Sequence, residues 1–287
     1  MTTVAFIGLG VMGKLMTANL AKKYKVRSYD LNGSGNCRTA RKAAEGSDVL
    51  ITMVPNGNDV RDAVLDALPG LKRGAVVVDM SSSDPAGTLA LGKVLNANRI
   101  AMVDAPVSGA RFKAKDGTLA IMVGGEARDL EEARGALSAM GANVIHVGAV
   151  GSGEAAKLCN NLIAGVAAVA VSEAFRIAEG FGVDPKILTD VISKSSGNTW
   201  VMQQAHPVPG LVARAASSRD YAPGFMTDLM AKDLGLAVNA ARELRIPVIV
   251  APAAQQALRL ASSHGLGRKD FTAIYAFLKP SNPDVPV

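Results

Sequence analysis

Short β-branched runs alternate with helical patterns through the first half of the chain. Val4–Ile7, Val26–Tyr29, Val49–Val54, Ala75–Asp79, Ala101–Val103, Leu119–Val123 and Val144–Val147 read as strands. Apolar positions at helical spacing separate many of them, for example over Val11–Lys23, Asp59–Ala67 and Ala127–Met140. Alternation of this kind predicts a parallel sheet covered by helices on both faces. After about residue 150 the strand signals nearly vanish. Glu154–Phe181, Pro185–Ser193, Phe225–Leu244, Val248–His264 and Asp270–Leu278 carry helical periodicity, with Pro185 near a helix start where proline is tolerated. The stretch from His206 to Tyr221, richer in Pro, Ser and Arg, reads as a loop plus a short helix. The predicted organisation is an α/β domain over 1–150 followed by an all-α domain over 151–287, with a long linking helix starting near 153.

Composition narrows the function classes. With 49% hydrophobic and 20% charged residues, the chain of 287 residues has a globular balance and enough length to bury a sizeable core. The net charge of +6 would suit anionic ligands, but Lys and Arg form no run of four and no aromatic residues interleave with them. Nucleic acid is therefore not an expected partner. The two cysteines, Cys37 and Cys159, have no paired spacing, and His146, His206 and His264 fall in no ligand or triad spacing, so no metal site is expected. The longest apolar run, Leu162 to Val171, is short for a bilayer and reads as a buried helix. The chain opens directly on the strand Val4–Ile7, so no secretory signal is expected, and with that short apolar run no membrane association and a cytoplasmic location are expected.

The most specific chemical signal is Gly8-Leu9-Gly10-Val11-Met12-Gly13, which follows a strand and opens a helix. One glycine makes the tight turn, one lets backbone approach a pyrophosphate, and one lets helix and strand pack closely. The helix N-terminus then offers free N–H groups and a positive dipole end to phosphates. The second strand ends at Asp30, 22 residues after Gly8, followed by Leu31 and Asn32. An acid there accepts hydrogen bonds from ribose hydroxyls and repels a 2′-phosphate, which points to NAD rather than NADP. Asp-Leu-Asn-Gly also suits an ordinary surface turn. The first domain thus reads as Rossmann-type.

Two further segments offer substrate chemistry. Asp104-Ala105-Pro106-Val107-Ser108-Gly109 follows a strand and can present the Ser108 hydroxyl and neighbouring N–H groups to a carboxylate, though a plain Pro/Gly loop would look the same. Lys157 and Asn161 stand four residues apart on one helix face, above the small residues Ala164, Gly165 and Ala168. That arrangement suits a pocket in which a lysine does acid/base work, and equally a lysine snorkelling from the start of a core helix. Cys159 falls on the opposite face and is given a core role. Lys232-Asp233, between apolar neighbours in a C-terminal helix, suits either a cleft or a surface charge pair.

Taken together, these segments resemble the 3-hydroxyisobutyrate dehydrogenases of the β-hydroxyacid dehydrogenase family. The resemblance covers nearly the whole chain and runs in order through GLGVMG at 8–13, TMVPN at 52–56, DMSSSDP at 79–85, DAPVSG at 104–109, GTLAIMVGG at 117–125, GSGEAAKLCNN at 151–161, SSGNTW at 195–200 and FMTDLMAKDLGLA at 225–237. It implies a Rossmann-type domain joined by a long helix to a helical domain, with the active site in the cleft between them. It implies NAD as cofactor and a small 3-hydroxy carboxylate as substrate: 3-hydroxyisobutyrate, oxidised to methylmalonate semialdehyde in valine catabolism. Lys157 would take the hydroxyl proton and Asn161 would orient the substrate. Ser108 and Gly109 would hold the carboxylate, and Trp200 would shape the pocket. Val54, Pro55 and Asn56 would line the adenine and ribose side, Ser82 the nicotinamide side. Phe225 and Lys232 would contact the cofactor, with Lys232 also reaching the substrate and Asp233 supporting it. A homodimer or homotetramer is implied.

Three departures from the family pattern stand out. The segment between Asp30 and Ala44 is roughly ten residues short, and Arg38 and Arg41 lie where a 2′-phosphate would be read. Ala110 replaces a glycine after the serine turn. Arg111, Phe112 and Lys113 are bulkier and more basic than usual. The alternatives to weigh are a tartronate or succinic semialdehyde reductase, a non-catalytic NAD-binding scaffold, and an imine reductase, in which the lysine position would be changed.

Overall fold

A computed structural model describes residues 3–279. The chain divides into two compact units, Met1–Lys157 and Leu158–Val287. The division expected at 150/151 therefore falls seven residues later, inside a helix. The reason is local: the first turn of that helix is hydrogen-bonded to the end of the sheet, so it belongs to the first unit.

Unit 1 is built on β1 (Thr3–Ile7), α1 (Val11–Leu20), β2 (Lys25–Tyr29), α2 (Ala40–Ala44), β3 (Val49–Thr52), α3 (Gly57–Ala67), β4 (Val76–Asp79), α4 (Pro85–Ala97), β5 (Ala101–Asp104), β6 (Val107–Ser108), α5 (Ala110–Asp116), β7 (Leu119–Gly124), α6 (Ala127–Met140) and β8 (Gly141–Gly148). The sheet order is β2-β1-β3-β4-β5-β7-β6, with β8 paired to β7. The first five strands are parallel, as the alternation predicts. β7 runs antiparallel to β5 and β6, which the pattern did not predict. The link between β5 and β7 holds only a two-residue strand and a short helix, and it reverses the chain instead of crossing over the sheet. Successive strand residues face opposite layers. Val4, Phe6, Ile51 and Val78 join α1 and α6 in one core, while Ala5, Ile7, Leu50 and Val77 join α2, α3 and α4 in the other. Strands buried on both faces explain the near-continuous apolar runs.

The order of β2, β1 and β3 makes a topological switch between β1 and β3, which opens a crevice at the carboxyl ends of these strands. β2 is an edge strand, and the shortened segment after it folds back along that edge. The Asn36 side chain accepts from Ser28 N at 2.7 Å and donates to Val26 O at 3.1 Å, and Cys37 N donates to Ser28 O at 2.9 Å. A Cβ on Gly35 would overlap the Ser28 carbonyl oxygen, so glycine is needed for the approach. The short segment thus satisfies and covers an open sheet edge.

Helix α7 (Ser152–Gly180) begins in unit 1 and continues into unit 2, which adds α8 (Pro185–Ser193), α9 (Trp200–Gln204), α10 (Thr227–Glu243), α11 (Val250–Ala261) and α12 (Ile274–Phe277). With 29 residues and a mean hydropathy of 1.5 over its most apolar window, α7 is long and apolar enough to cross a bilayer by length and composition alone. The run from Leu162 to Val171 therefore understated the helix. Its Ala168, Val169 and Phe175 instead pack in the core of unit 2 with Met230, Leu234 and Leu258. Of the small residues below Lys157 and Asn161, Gly165 lets α10 approach: a Cβ there would stand 2.6 Å from Leu234 Cδ1. Cys159, assigned to the core from its helix face, is exposed in the chain.

His206 is fully buried in unit 2, edge-on to Phe175 with ring centroids 4.8 Å apart. Its Nδ1 accepts from Val208 N at 3.2 Å and its Nε2 lies 3.2 Å from Thr189 Oγ1. Burial lowers its pKa from 6.5 to about 4. The unfolded chain therefore binds a proton that the folded one refuses between these values. The stabilising contribution is complete above pH 6.5 and is lost as pH falls toward 4. Melting curves over that range are expected to show Tm falling on acidification, and His206→Gln to flatten part of the slope; equal slopes would contradict this.

Candidate active site

The glycine loop is shaped as its spacing requires. Gly8 has φ +99°, and a Cβ there would overlap the Met53 carbonyl oxygen; one on Gly13 would overlap the Gly8 carbonyl oxygen. These two glycines are needed by the fold itself. Gly10 is different: nothing lies within 4 Å of where its Cβ would stand. It forms the N-cap of α1 with no side-chain cap bond, and no acid occupies the first turn. Open space before an uncapped helix N-terminus fits a dinucleotide pyrophosphate. Of the other loop residues, Val11 is exposed, Met12 half-buried and Leu9 buried. Leu9 N donates to Asp30 Oδ2 at 2.5 Å, which ties the loop to the end of β2, and Asn32 N donates to Oδ1 at 2.9 Å. Asp30 and Leu31 line a depression of about 460 Å³ with Tyr29, Asn36 and Arg38. Each Asp30 oxygen retains a lone pair for a ribose hydroxyl.

At the ends of β3 and β4, Val54 N donates to Ser81 Oγ at 3.0 Å, holding the 54–56 and 81–83 segments together. Asn56 caps α3, accepting from Asp59 N at 3.0 Å, so its side chain is engaged in the fold. Pro55 and Ser82 are in the same two segments, Ser82 half-buried. Asp79 is fully buried, and burial raises its carboxyl pKa against hydrogen bonds from Ser81, Thr52 and Ser83.

Lys157 is 6% exposed. Its Nζ donates to Val107 O at 2.7 Å, directly beside Ser108. The ammonium thus meets the serine turn, in keeping with the shared substrate that the family resemblance implies for Lys157 and Ser108. Gly109 has φ +137° and Ala110 φ +53°; alanine here holds a conformation that favours glycine, which accounts for the family's glycine at this position. Arg111, Phe112 and Lys113 lie on exposed positions of α5.

In unit 2, one helical turn beyond Lys157, Asn161 Nδ2 donates to Asp233 Oδ2 at 2.6 Å, and Asn161 Oδ1 accepts from Asn160 Nδ2 at 3.0 Å. Asp233 is 1% exposed, and the Lys232 ammonium stands 3.5 Å from its Oδ1. Phe225 packs edge-on to Phe271 with centroids 6.2 Å apart. Trp200, expected in a pocket wall, is 59% exposed at the first residue of α9. Among the described residues no group of three or more His, Cys, Asp or Glu is placed to hold a metal ion.

Asp104 and Glu154, both fully buried, were given no role in the sequence reading. Burial raises the Asp104 carboxyl pKa, opposed by hydrogen bonds from the Gly151 and Glu154 amides. The available signal was an acid closing an otherwise apolar strand and another in the first turn of an apolar helix.

Residues 3–148 match the family model described as the NAD binding domain of 6-phosphogluconate dehydrogenase, and residues 151–278 that described as NAD-binding of NADP-dependent 3-hydroxyisobutyrate dehydrogenase. The mitochondrial 3-hydroxyisobutyrate dehydrogenase of Mus musculus is 36% identical over 98% of this chain and 88% of its own length. The chain belongs to the 3-hydroxyisobutyrate dehydrogenase family. Its members include an NAD-dependent L-serine dehydrogenase of Pseudomonas aeruginosa, 37% identical over 98% of this chain and 99% of its own. The solved structure of Mycobacterium tuberculosis 3-hydroxyisobutyrate dehydrogenase with L-serine superposes with a TM-score of 0.92 at 36% identity, covering 98% of this chain and 100% of that one. The chain is accordingly an oxidoreductase of this dehydrogenase family using NAD, and the open space at Gly10 fits that cofactor. Family membership sets aside the scaffold reading.

Proposed function

We propose that the protein oxidises 3-hydroxyisobutyrate to methylmalonate semialdehyde. The observation that carries this reading is the buried Lys157 ammonium hydrogen-bonded at 2.7 Å to Val107 O, next to the hydroxyl of Ser108. Bound NAD supplies the hydride acceptor at its nicotinamide. The chain must then fix the carboxylate, orient the alcohol carbon and accept one proton. Ser108 and the N–H groups of its turn hold the carboxylate. Lys157 Nζ, in its neutral form, takes the hydroxyl proton as hydride leaves the same carbon. Asp233 fixes the Asn161 amide by accepting from its Nδ2, and the Lys232 ammonium stands beside the Asp233 carboxylate. Ser82 would hold the nicotinamide side of the cofactor, and Val54, Pro55 and Asn56 the adenine and ribose side. We place the enzyme in the cytoplasm as a homodimer or homotetramer; exposed Ile163, Ile177 and Ile187 support self-association.

L-serine is the second reading. It is favoured by the L-serine dehydrogenase relative and by the Mycobacterium tuberculosis enzyme, whose solved structure is one with L-serine. L-serine is also a 3-hydroxy carboxylate, and the same lysine and serine would serve it. Initial rates of NAD reduction with both 3-hydroxyisobutyrate enantiomers and both serine enantiomers separate the readings. A higher kcat/KM for one 3-hydroxyisobutyrate enantiomer is expected; a higher value for L-serine would overturn the first reading. Activity only in reverse, with tartronate or succinic semialdehyde, would overturn both.

Asp30 is proposed to set the preference for NAD over NADP. Asp30→Ala is expected to lower the ratio of kcat/KM with NAD to that with NADP by roughly tenfold, about 1.4 kcal/mol. An unchanged ratio would mean that the carboxylate does not read the ribose.

A further inference from the structure

Asp104 closes β5 and opens the segment that carries Val107 and Ser108. Its Oδ1 accepts from Gly151 N at 2.7 Å and its Oδ2 from Glu154 N at 2.8 Å. Because α7 starts at Ser152, these amides belong to its N-terminal turn, where a helix needs acceptors from outside itself. A carboxylate from a distant strand thus caps the helix that carries Lys157.

Two glycines make the approach possible. A Cβ on Gly124 would stand 2.6 Å from Asp104 Oδ1, and one on Gly153 would stand 2.7 Å from Asp104 O and 2.8 Å from Oδ2. Neither glycine has positive φ, so the close approach, and not backbone conformation, is what requires them. Next to this contact, Glu154 Oε2 accepts from Ser83 N at 3.1 Å, and Ser83 Oγ donates to Asp79 Oδ2 at 3.3 Å. One turn further, Lys157 Nζ reaches Val107 O. Segments 79–83 and 104–107, together with Gly124, therefore meet at the first two turns of α7.

We infer that Asp104 is a positioning residue for proton transfer: by fixing where α7 begins, it fixes the Lys157 ammonium relative to Ser108. The inference rests on Lys157 being the proton acceptor. Asp104 acts through the helix and not on the reacting atoms. In Asp104→Asn the side chain keeps its size, but its NH₂ group faces one of the two helix N–H donors, so one cap bond becomes a donor–donor clash. Gly153→Ala retains the carboxylate and crowds it with a new Cβ, which would also press on the Met122 and Asp104 carbonyl oxygens.

The test uses the full chain with NAD and whichever hydroxy acid gives the highest turnover. Both variants are expected to lose about ten- to hundredfold in kcat, the scale of a misplacement near 1 Å. KM for NAD and the dissociation constant for NADH, read by fluorescence, should stay within about twofold, since the glycine loop is untouched. The primary deuterium isotope effect on kcat should rise as the chemical step becomes limiting, a change that loss of stability alone does not produce. Should Asp104→Asn not fold, Gly153→Ala and Gly124→Ala carry the test with the native carboxylate. Folded variants with kcat within about twofold of the parent, and an unchanged isotope effect, would overturn the inference. Lys157→Ala, measured alongside, separates the two claims: if it retains turnover, both fall; if it alone is inactive, only the role of Asp104 falls.

Discussion

Replacing Lys157 with alanine is expected to lower kcat by roughly a thousandfold, within the range for losing a positioned acid/base group. The ammonium is buried and held by Val107 O at 2.7 Å. The other lysine of the family signature, Lys232, is paired with Asp233 in unit 2 and is not expected to replace it. NAD binding should be nearly unaffected, since the glycine loop is framed by Gly8, Gly13 and Asp30. Equilibrium titration with NADH and steady-state turnover check the two halves of this expectation separately. Loss of cofactor binding with chemistry preserved would contradict the assigned role.

The second large effect is a contrast within the glycine loop. Gly10→Ala and Gly13→Ala add the same methyl group three residues apart, with opposite consequences. At Gly10 the methyl enters open space, and φ of −66° suits any residue. Stability should change by less than about 1 kcal/mol, the size of an N-cap effect. The methyl would occupy the space of the pyrophosphate, so the dissociation constant for NADH should rise on the order of a hundredfold, about 2.7 kcal/mol. At Gly13 the methyl overlaps the Gly8 carbonyl and forces α1 away from β1. Here stability should fall by about 3 kcal/mol, the upper range for overpacking. Thermal melts and NADH titrations of both variants decide the matter. Equal effects on stability would mean that the two glycines do not divide the roles of binding and packing.

How much was legible in the sequence depends on the range of the interaction. The glycine loop was legible because its demands act over six neighbouring residues. The parallel strands were legible because burial on both faces leaves continuous apolar runs such as Val76–Asp79. Lys157 and Asn161 shared a helix face by spacing alone. The direction of β7 was not legible, because the weak signals of β6 and α5 concealed the reversal between β5 and β7. Gly165 was legible as a small residue, but not that its smallness lets Leu234 approach, because that neighbour lies about 70 residues away. Cys159 was placed in the core because opposite faces of an apolar helix look alike until its neighbours are known. Asp104 was invisible for the same reason: its partners Gly151 and Glu154 lie about 50 residues away, and only the fold brings them within 2.7–2.8 Å.

The central claim is that this chain moves a hydride from a 3-hydroxy carboxylate to NAD. Its most direct test is incubation with NAD and 3-hydroxyisobutyrate carrying deuterium on the hydroxyl-bearing carbon, at mildly alkaline pH. Reduced cofactor containing one substrate deuterium, formed with one enantiomer and accompanied by the semialdehyde, is the predicted result. Reduced cofactor without deuterium, or none from any hydroxy acid tested, would contradict the account.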